Sequence, residues 1–101
     1  MIERGKRERT TNLDVFIGAS PGSHARLGLI VPKHGHRIVD RNLLKRRLRD
    51  IGRRRVLPRL DGAGVRADVL IRARRPAYAV TYETLVQEVS GVVEAMCSSK
   101  S

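Results

Sequence analysis

Residues 41–59 combine a helical pattern with an extreme excess of positive charge. They hold nine basic residues in nineteen positions, and only Asp50 opposes them. Within this stretch Leu44, Leu48 and Ile51 are spaced i, i+4 and i+7, which predicts an amphipathic helix. A helix this positive repels itself. The chain is therefore limited to folds that turn the charged face outward, where an external polyanion can lie against it.

The predicted helix has two distinct faces. At ~100° per residue, its three apolar residues fall at about 280–340° from Arg41. Basic residues and one asparagine fall at about 40–140° on the same rotation. This second face, called the basic stripe below, comprises Asn42, Lys45, Arg46, Arg49 and Arg53. We expect Asp40 to cap the N terminus of the helix and Pro58 to end it.

The charge of this helix does little for the folded monomer. Arg41, Lys45, Arg49 and Arg53 form successive like-charge i,i+4 pairs, each destabilising by ~0.2–0.5 kcal/mol in an isolated helix. A phosphate backbone would relieve that repulsion. The chain also carries a net charge of +11. These observations favour a nucleic-acid partner over the alternative, a merely solvated face.

Composition limits the remaining classes. A chain of 101 residues that is 41% hydrophobic is expected to form one domain with a modest core. It has no long apolar run and no signal-peptide pattern, so a membrane partner is not expected. Its single cysteine, Cys97, excludes an intrachain disulfide and fits a reducing, cytoplasmic location.

Alternation and helical spacing predict the other elements. Strands are expected at residues 13–17, 26–31 and 68–72, and a last helix after Thr81 with an apolar stripe of Leu85, Val89, Val92 and Met96. Residues 1–12 form a basic N-terminal arm or an edge segment, and residues 97–101 a flexible tail. The order strand, strand, helix, strand, helix predicts an α+β fold with both helices on one face of the sheet.

The opposite face of the predicted sheet carries Phe16, Arg26, Ile30 and Arg72. An aromatic ring beside arginines is typical of a stacking platform for single-stranded bases. Equally, Phe16 fits a second apolar layer beneath the N-terminal arm. Periodicity alone leaves both interpretations open.

No catalytic or metal constellation is visible in the sequence. His34 and His36 stand close together, but a zinc site needs more ligands, and His24 and Cys97 have no suitable spacing from them. Beside a phosphate backbone these histidines would serve as neutral hydrogen-bond donors. No nucleophile–base pair, carboxylate pair or phosphate loop is present. We therefore predict no catalytic residue and no metal ligand in this chain.

Four segments resemble the bacterial ribonuclease P protein component. Residues 41–50 (RNLLKRRLRD) are similar to that family's Arg-Asn-Arg helix signature. Residues 26–33 (RLGLIVPK) resemble its strand leading into a Lys-rich loop, residues 68–74 its next strand, and residues 82–93 its last helix. The similarity runs in order over roughly residues 5–96.

The chain also departs from the family pattern. Leu43 replaces the second arginine of the signature, and Pro32 a serine. Gly52 stands where an aromatic is usual, and His36 where glycine is usual. The chain begins where the family's first helix is expected to end, near Gly5. Either the start is truncated or this is a naturally short form, and both alternatives leave open whether the substrate cleft has the Phe-containing wall that the resemblance implies.

The resemblance implies one RNA-binding domain over residues 1–101, with a mixed, four-stranded sheet and a rare left-handed βαβ crossover. It implies a protein subunit that binds the catalytic ribonuclease P RNA and the 5′ leader of precursor tRNA. The RNA would perform the cleavage with Mg²⁺ that it holds itself. No obligate protein partner is expected.

The same resemblance suggests which residues bind RNA. The catalytic RNA would meet Lys33, Arg41, Asn42, Lys45, Arg46, Arg49 and Arg53. The leader would meet Phe16, Arg26 and Arg72. Two alternatives remain: a general RNA-binding module of ribosomal or chaperone-like type, and a stand-alone nuclease.

Overall fold

The computed structural model describes residues 6–19, 25–64 and 66–100. Its elements follow one another as β1 (Lys6–Arg9), β2 (Leu13–Ala19), β3 (Arg26–Ile30), α1 (Ile38–Ile51), a π-helical segment (Gly52–Val56), α2 (Leu57–Gly62), β4 (Ala67–Ala73), a 3-10 helix (Arg75–Ala79) and α3 (Tyr82–Lys100). Within the described residues, no helix is long and apolar enough to cross a membrane.

The four strands form one mixed sheet in the order β1-β2-β4-β3. β2 pairs antiparallel with β1 and with β4, so Phe16 lies opposite Arg7 on one side and Leu70 on the other. β3 pairs parallel with β4, and the chain between them passes through α1. The α+β fold with a four-stranded mixed sheet is confirmed. The hand of the crossover stays a prediction.

The core lies between one face of the sheet and the helices. Period-2 alternation turns Leu13, Val15 and Ile17 of β2 inward, and Val69 and Ile71 of β4 join them. From the helical side come Leu44, Leu48, Ile51, Leu85, Val89 and Val92, all buried. The predicted apolar stripes are therefore confirmed, except that the side chain of Met96 lies outside the described part of the chain.

The predicted start of α1 is wrong. Arg37, not Asp40, is the N-cap residue, and Asp40 lies in the first helical turn. The preceding loop brings the chain into helical geometry at Ile38, and the amide of Arg41 already donates to the carbonyl of Arg37 at 3.1 Å. Asp40 still opposes the positive end of the helix dipole from this position.

Pro58 was also expected to end the helix, and this is wrong. The helical path widens into the π segment and continues to Gly62. The amide of Leu57 donates to the carbonyl of Gly52, which keeps the path of the chain helical. Pro58 then lies in the first turn of α2, where a missing proline N–H costs little. A Cβ at Gly52 would lie 2.1 Å from Cδ2 of Leu27 on β3, so a larger residue here would require the Leu27 side chain to move. The glycine lets the helix approach the strand.

The two ends of the described chain belong to regular elements. Residues 6–9 form the edge strand β1, in agreement with the interpretation of this region as an edge segment. α3 extends to Lys100, so residues 97–100 of the predicted tail are helical. Glu88 of α3 accepts hydrogen bonds from the backbone amide (3.1 Å) and side-chain amide of buried Asn12. Thr81 caps α3 as predicted, since its hydroxyl accepts from the amide of Thr84 at 3.2 Å.

Candidate nucleic-acid interface

The loop between β3 and α1 is held in place by Tyr78 of the 3-10 helix. Its hydroxyl donates to the carbonyl of Pro32 at 2.5 Å, and its ring stacks on His36 with centroids 3.9 Å apart and planes at 6°. The loop itself turns at His34 and Gly35, both with positive φ, and the amide of His36 donates to Lys33 at 2.8 Å. Burial raises the pKa of the Tyr78 hydroxyl, so this donor stays protonated.

Arg41 joins the same loop to the start of the basic helix. Its Nε donates to the carbonyl oxygen of Val31 at 2.7 Å, and the residue is half-buried. Part of its guanidinium is therefore committed to the fold. Its other N–H groups remain to meet a phosphate. Lys33, in the loop, is exposed.

The basic stripe lies on the outer side of α1. Asn42, Arg46, Arg49 and Arg53 are exposed and Lys45 is half-buried. Three of these side chains, Lys45, Arg49 and Arg53, line a groove of about 290 Å³ whose opposite wall comes from β3 through Leu27 and Leu29, with Leu57 at one end. Among the described residues, no carboxylate forms an ion pair with any cation of the stripe. The stripe is thus uncompensated positive charge along a groove.

Two arginines beyond the stripe have acidic partners. Arg54 donates to Asp50 at 2.9 Å and Arg59 pairs with Glu94 at 2.7 Å. The Tyr82 hydroxyl donates to Asp50 at 2.6 Å, and this bond, helped by Arg54, lowers the pKa of that carboxyl. The hydrogen bond from Arg59 likewise lowers the pKa of Glu94. These ion pairs therefore lie outside the stripe.

The open face of the sheet carries the three residues predicted to meet a leader. Phe16 is half-buried, and the guanidinium of Arg7 lies 5.7 Å from its ring centroid. β1 therefore places a residue over this ring, as expected if Phe16 lies beneath the N-terminal arm. That residue is a cation, however, and not part of an apolar layer. A base stacking on Phe16 would have to share the ring with Arg7.

Arg26 begins β3 and Arg72 lies near the end of the neighbouring strand β4, so they stand at opposite ends of this strand pair and have different surroundings. Arg26 forms a bidentate pair with Asp68, at 2.9 and 2.7 Å, which neutralises most of its charge. Arg72 is exposed and lies in register with Ile30. The structure thus separates two arginines that the sequence places on one face.

A cluster of cations surrounds Arg72 that sequence reasoning missed. It lines a cavity of about 290 Å³, formed by Arg7, Arg9, Asp14, His34, Arg72, Ala73, Arg74 and Arg75. Asp14 is buried and accepts from Nε of Arg9 at 3.2 Å. Nε2 of His34 is buried and has no partner within the described residues. The run of arginines after β4 was a visible signal, but only strand pairing brings Arg7 and Arg9 beside it.

Strand β3 lies between the stripe and the open sheet face. Because side chains alternate along a strand, Leu27 and Leu29 line the groove beside the stripe, while Arg26, Gly28 and Ile30 belong to the open face. β3 is also an outer strand of the sheet. A polyanion in the groove has only this strand to cross before it reaches the open face.

Comparison with known proteins places these surfaces in context. The family model for Ribonuclease P matches residues 1–97. The ribonuclease P protein component of Kocuria rhizophila is 30% identical over 92 residues, which cover 91% of this chain and 78% of that protein. Among solved structures, the RNase P protein of Thermotoga maritima aligns with a TM-score of 0.73 at 23% identity, over 92% of this chain and 84% of that one. The Staphylococcus aureus RNase P protein gives 0.69 at 23%, over 93% and 82%.

Proposed function

The chain belongs to the ribonuclease P protein family, and from this premise we propose how its surfaces serve the enzyme. As a member it is an RNA-binding subunit of ribonuclease P, acts in tRNA processing, and has ribonuclease P RNA as its partner. We assign the basic stripe and its flanks to that RNA, and the open sheet face to the 5′ leader of precursor tRNA.

The observation that carries the first assignment is the uncompensated charge of the stripe. Arg46, Arg49 and Arg53 are exposed and have no acidic partner among the described residues, whereas Arg54 and Arg59 do. Each cation that neutralises a phosphate releases a condensed counterion, so these side chains gain most from RNA. Asn42, Lys45, Lys33 and the free N–H groups of Arg41 extend the same surface.

The second assignment depends on Phe16 and Arg72. A single strand offers unstacked bases and a phosphate backbone, which aromatic rings and exposed cations bind without sequence preference. Phe16 with Arg7 supplies the first kind of contact, and Arg72 within its arginine cluster supplies the second. Arg26 contributes less because Asp68 already balances its charge.

The chemistry of cleavage is proposed to reside in the RNA, which would hold Mg²⁺ and activate water. The protein would bind and align, through the two surfaces above. In the part of the chain that the structure describes, no three His, Cys, Asp or Glu side chains gather as a metal site. We further propose a single RNA-binding domain over residues 1–101 that works in the cytoplasm and needs no other protein.

Leader dependence of binding tests the assignment. The complex of this protein with ribonuclease P RNA should bind precursor tRNA more tightly than mature tRNA. Phe16→Ala and Arg72→Ala should shrink that difference and leave mature tRNA binding unchanged. Arg55→Ala is the matched control, since it removes one exposed cation from the α3 side of the molecule.

Equal binding of precursor and mature tRNA by the wild-type complex would contradict leader recognition. It would limit the proposed role of the protein to binding ribonuclease P RNA. A preference for precursor tRNA that survives both substitutions would move the leader site away from the open sheet face.

A further inference from the structure

A second cavity lies on the other side of α1, outside the stripe and the open sheet face. Its volume is about 220 Å³, below the ~300–1,000 Å³ of sites for drug-sized ligands. It is lined by His36, Asp40, Leu43, Leu44, Arg47, Ala77 and Tyr78. α1 and the 3-10 helix form its two walls.

The chemistry of this cavity is that of a base-binding pocket. The imidazole of His36 has one face stacked on Tyr78, and His36 is an exposed residue, so its opposite face is open to solvent. Leu44 and Ala77, both buried, supply apolar surface. A carboxylate and a guanidinium, from Asp40 and Arg47, supply an acceptor and donors at the rim.

Leu43 is unusual in this setting. It is 44% exposed, and its neighbour Val39 is 65% exposed, so apolar surface continues from the pocket onto the outer side of the helix. Leu43 occupies the position where the family signature has its second arginine. Leucine has no charge to offer a phosphate, and its apolar side chain suits the face of a base.

We propose that this pocket binds one unpaired nucleobase bearing an exocyclic amino group, supplied by the RNA whose backbone meets the stripe. The base stacks on His36, and its amino group donates to the carboxylate of Asp40, as amino groups of bases do with acidic side chains. The inference rests on the proposed function, because the stripe on the same helix holds the neighbouring phosphates. A helix is about 10–12 Å across, so one strand can reach both sides.

The first test measures affinity for ribonuclease P RNA as a function of salt. His36→Ala should weaken binding by roughly 5- to 150-fold, the range for loss of one stacked base, with the slope of log K against log salt unchanged. His36→Phe should restore affinity, because phenylalanine also stacks. Arg46→Ala should instead lower the slope by about one unit.

The second test uses nucleotide probes and backbone amide NMR. CMP should shift the amides of Asp40, Leu43 and Tyr78 more than UMP, which lacks the amino group, and ribose 5-phosphate should leave them unmoved. Asp40→Ala should remove the difference between CMP and UMP, since it removes the acceptor, whereas Asp40→Asn keeps an amide oxygen that can still accept.

Three results would overturn the proposal while leaving the proposed function intact. The first is an unchanged RNA affinity in His36→Ala when Arg46→Ala still reduces the salt slope. The second is equal amide shifts from CMP and ribose 5-phosphate. The third is a change of oligomeric state in His36→Ala without loss of RNA affinity. The last would make the pocket a protein contact. Failure of wild-type protein to bind the RNA would instead refute the proposed function.

Discussion

Nε of Arg41, the first arginine of the basic helix, donates to the carbonyl oxygen of Val31 at the end of β3, at 2.7 Å. The first arginine of α1, which we propose contacts RNA, is therefore also a strut between that helix and the sheet. The two roles predict that Arg41 behaves differently from the cations that follow it.

Arg41→Ala should lower both stability and RNA affinity. Loss of the Nε donor leaves the Val31 carbonyl without this partner, at a cost of ~1–3 kcal/mol in the free energy of unfolding. Urea unfolding followed by circular dichroism measures this cost. Arg41→Lys should regain part of the affinity but little of the stability, because a lysine ammonium does not reproduce the planar guanidinium geometry. A wild-type unfolding midpoint in Arg41→Ala would refute the strut.

Arg46→Ala and Arg49→Ala should weaken RNA binding with almost no change in thermal midpoint. Both side chains are exposed and have no acidic partner among the described residues, so the folded state loses nothing. Each loss should reduce the salt slope by about one unit. Arg54→Ala, which breaks the pair with Asp50, is the control and should leave the slope as it is. A large fall in midpoint for Arg46→Ala would mean that the stripe is structural.

Glu88→Gln should destabilise the protein by ~1–3 kcal/mol although it keeps the volume of the side chain. Both carboxylate oxygens accept hydrogen bonds from buried Asn12, and an amide nitrogen in place of one oxygen turns a donor toward a donor. Glu83→Gln removes the same charge from an exposed position of the same helix and should cost under ~1 kcal/mol. Equal effects of the two substitutions on urea unfolding would show that the contact contributes nothing.

Acid titration should reveal the contact between Asp50 and Tyr82. The tyrosine hydroxyl lowers the pKa of Asp50 below its ordinary 3.8, so the stabilisation is present above about 3.8 and is lost as the pH falls through the lowered value. In Tyr82→Phe the carboxyl resonance should titrate closer to 3.8, and the acid loss of stability should become shallower. If Asp50 titrates in Tyr82→Phe as it does in the wild type, the lowered pKa is due to Arg54 instead.

Local patterns were sufficient for the core and the stripe. Leu44, Leu48 and Ile51 are buried because their spacing follows the helical period, and the same rotation places Arg46 and Arg49 outward. Each of these features depends on a single helix or strand, so the spacing of residues along the sequence is enough to predict it.

The features that escaped prediction depend on two or more elements. β1 carries no alternation since it is an edge strand of four polar residues, and only pairing with β2 puts Arg7 over Phe16. The bond from Asn12 to Glu88 spans 76 positions in the chain. Pro58 does not end the helix, because it lies in the first turn of α2, directly after the π segment, where a missing N–H costs little. No local pattern carries this kind of information.

Cleavage of precursor tRNA at limiting Mg²⁺ tests the central claim most directly. The cognate ribonuclease P RNA is assayed alone and with stoichiometric protein across a Mg²⁺ series, with Arg46→Ala/Arg49→Ala protein as the control. The wild-type protein should lower the Mg²⁺ concentration at half-maximal cleavage, the double variant should lower it less, and protein alone should not cleave. An identical Mg²⁺ dependence with and without the wild-type protein would contradict the account.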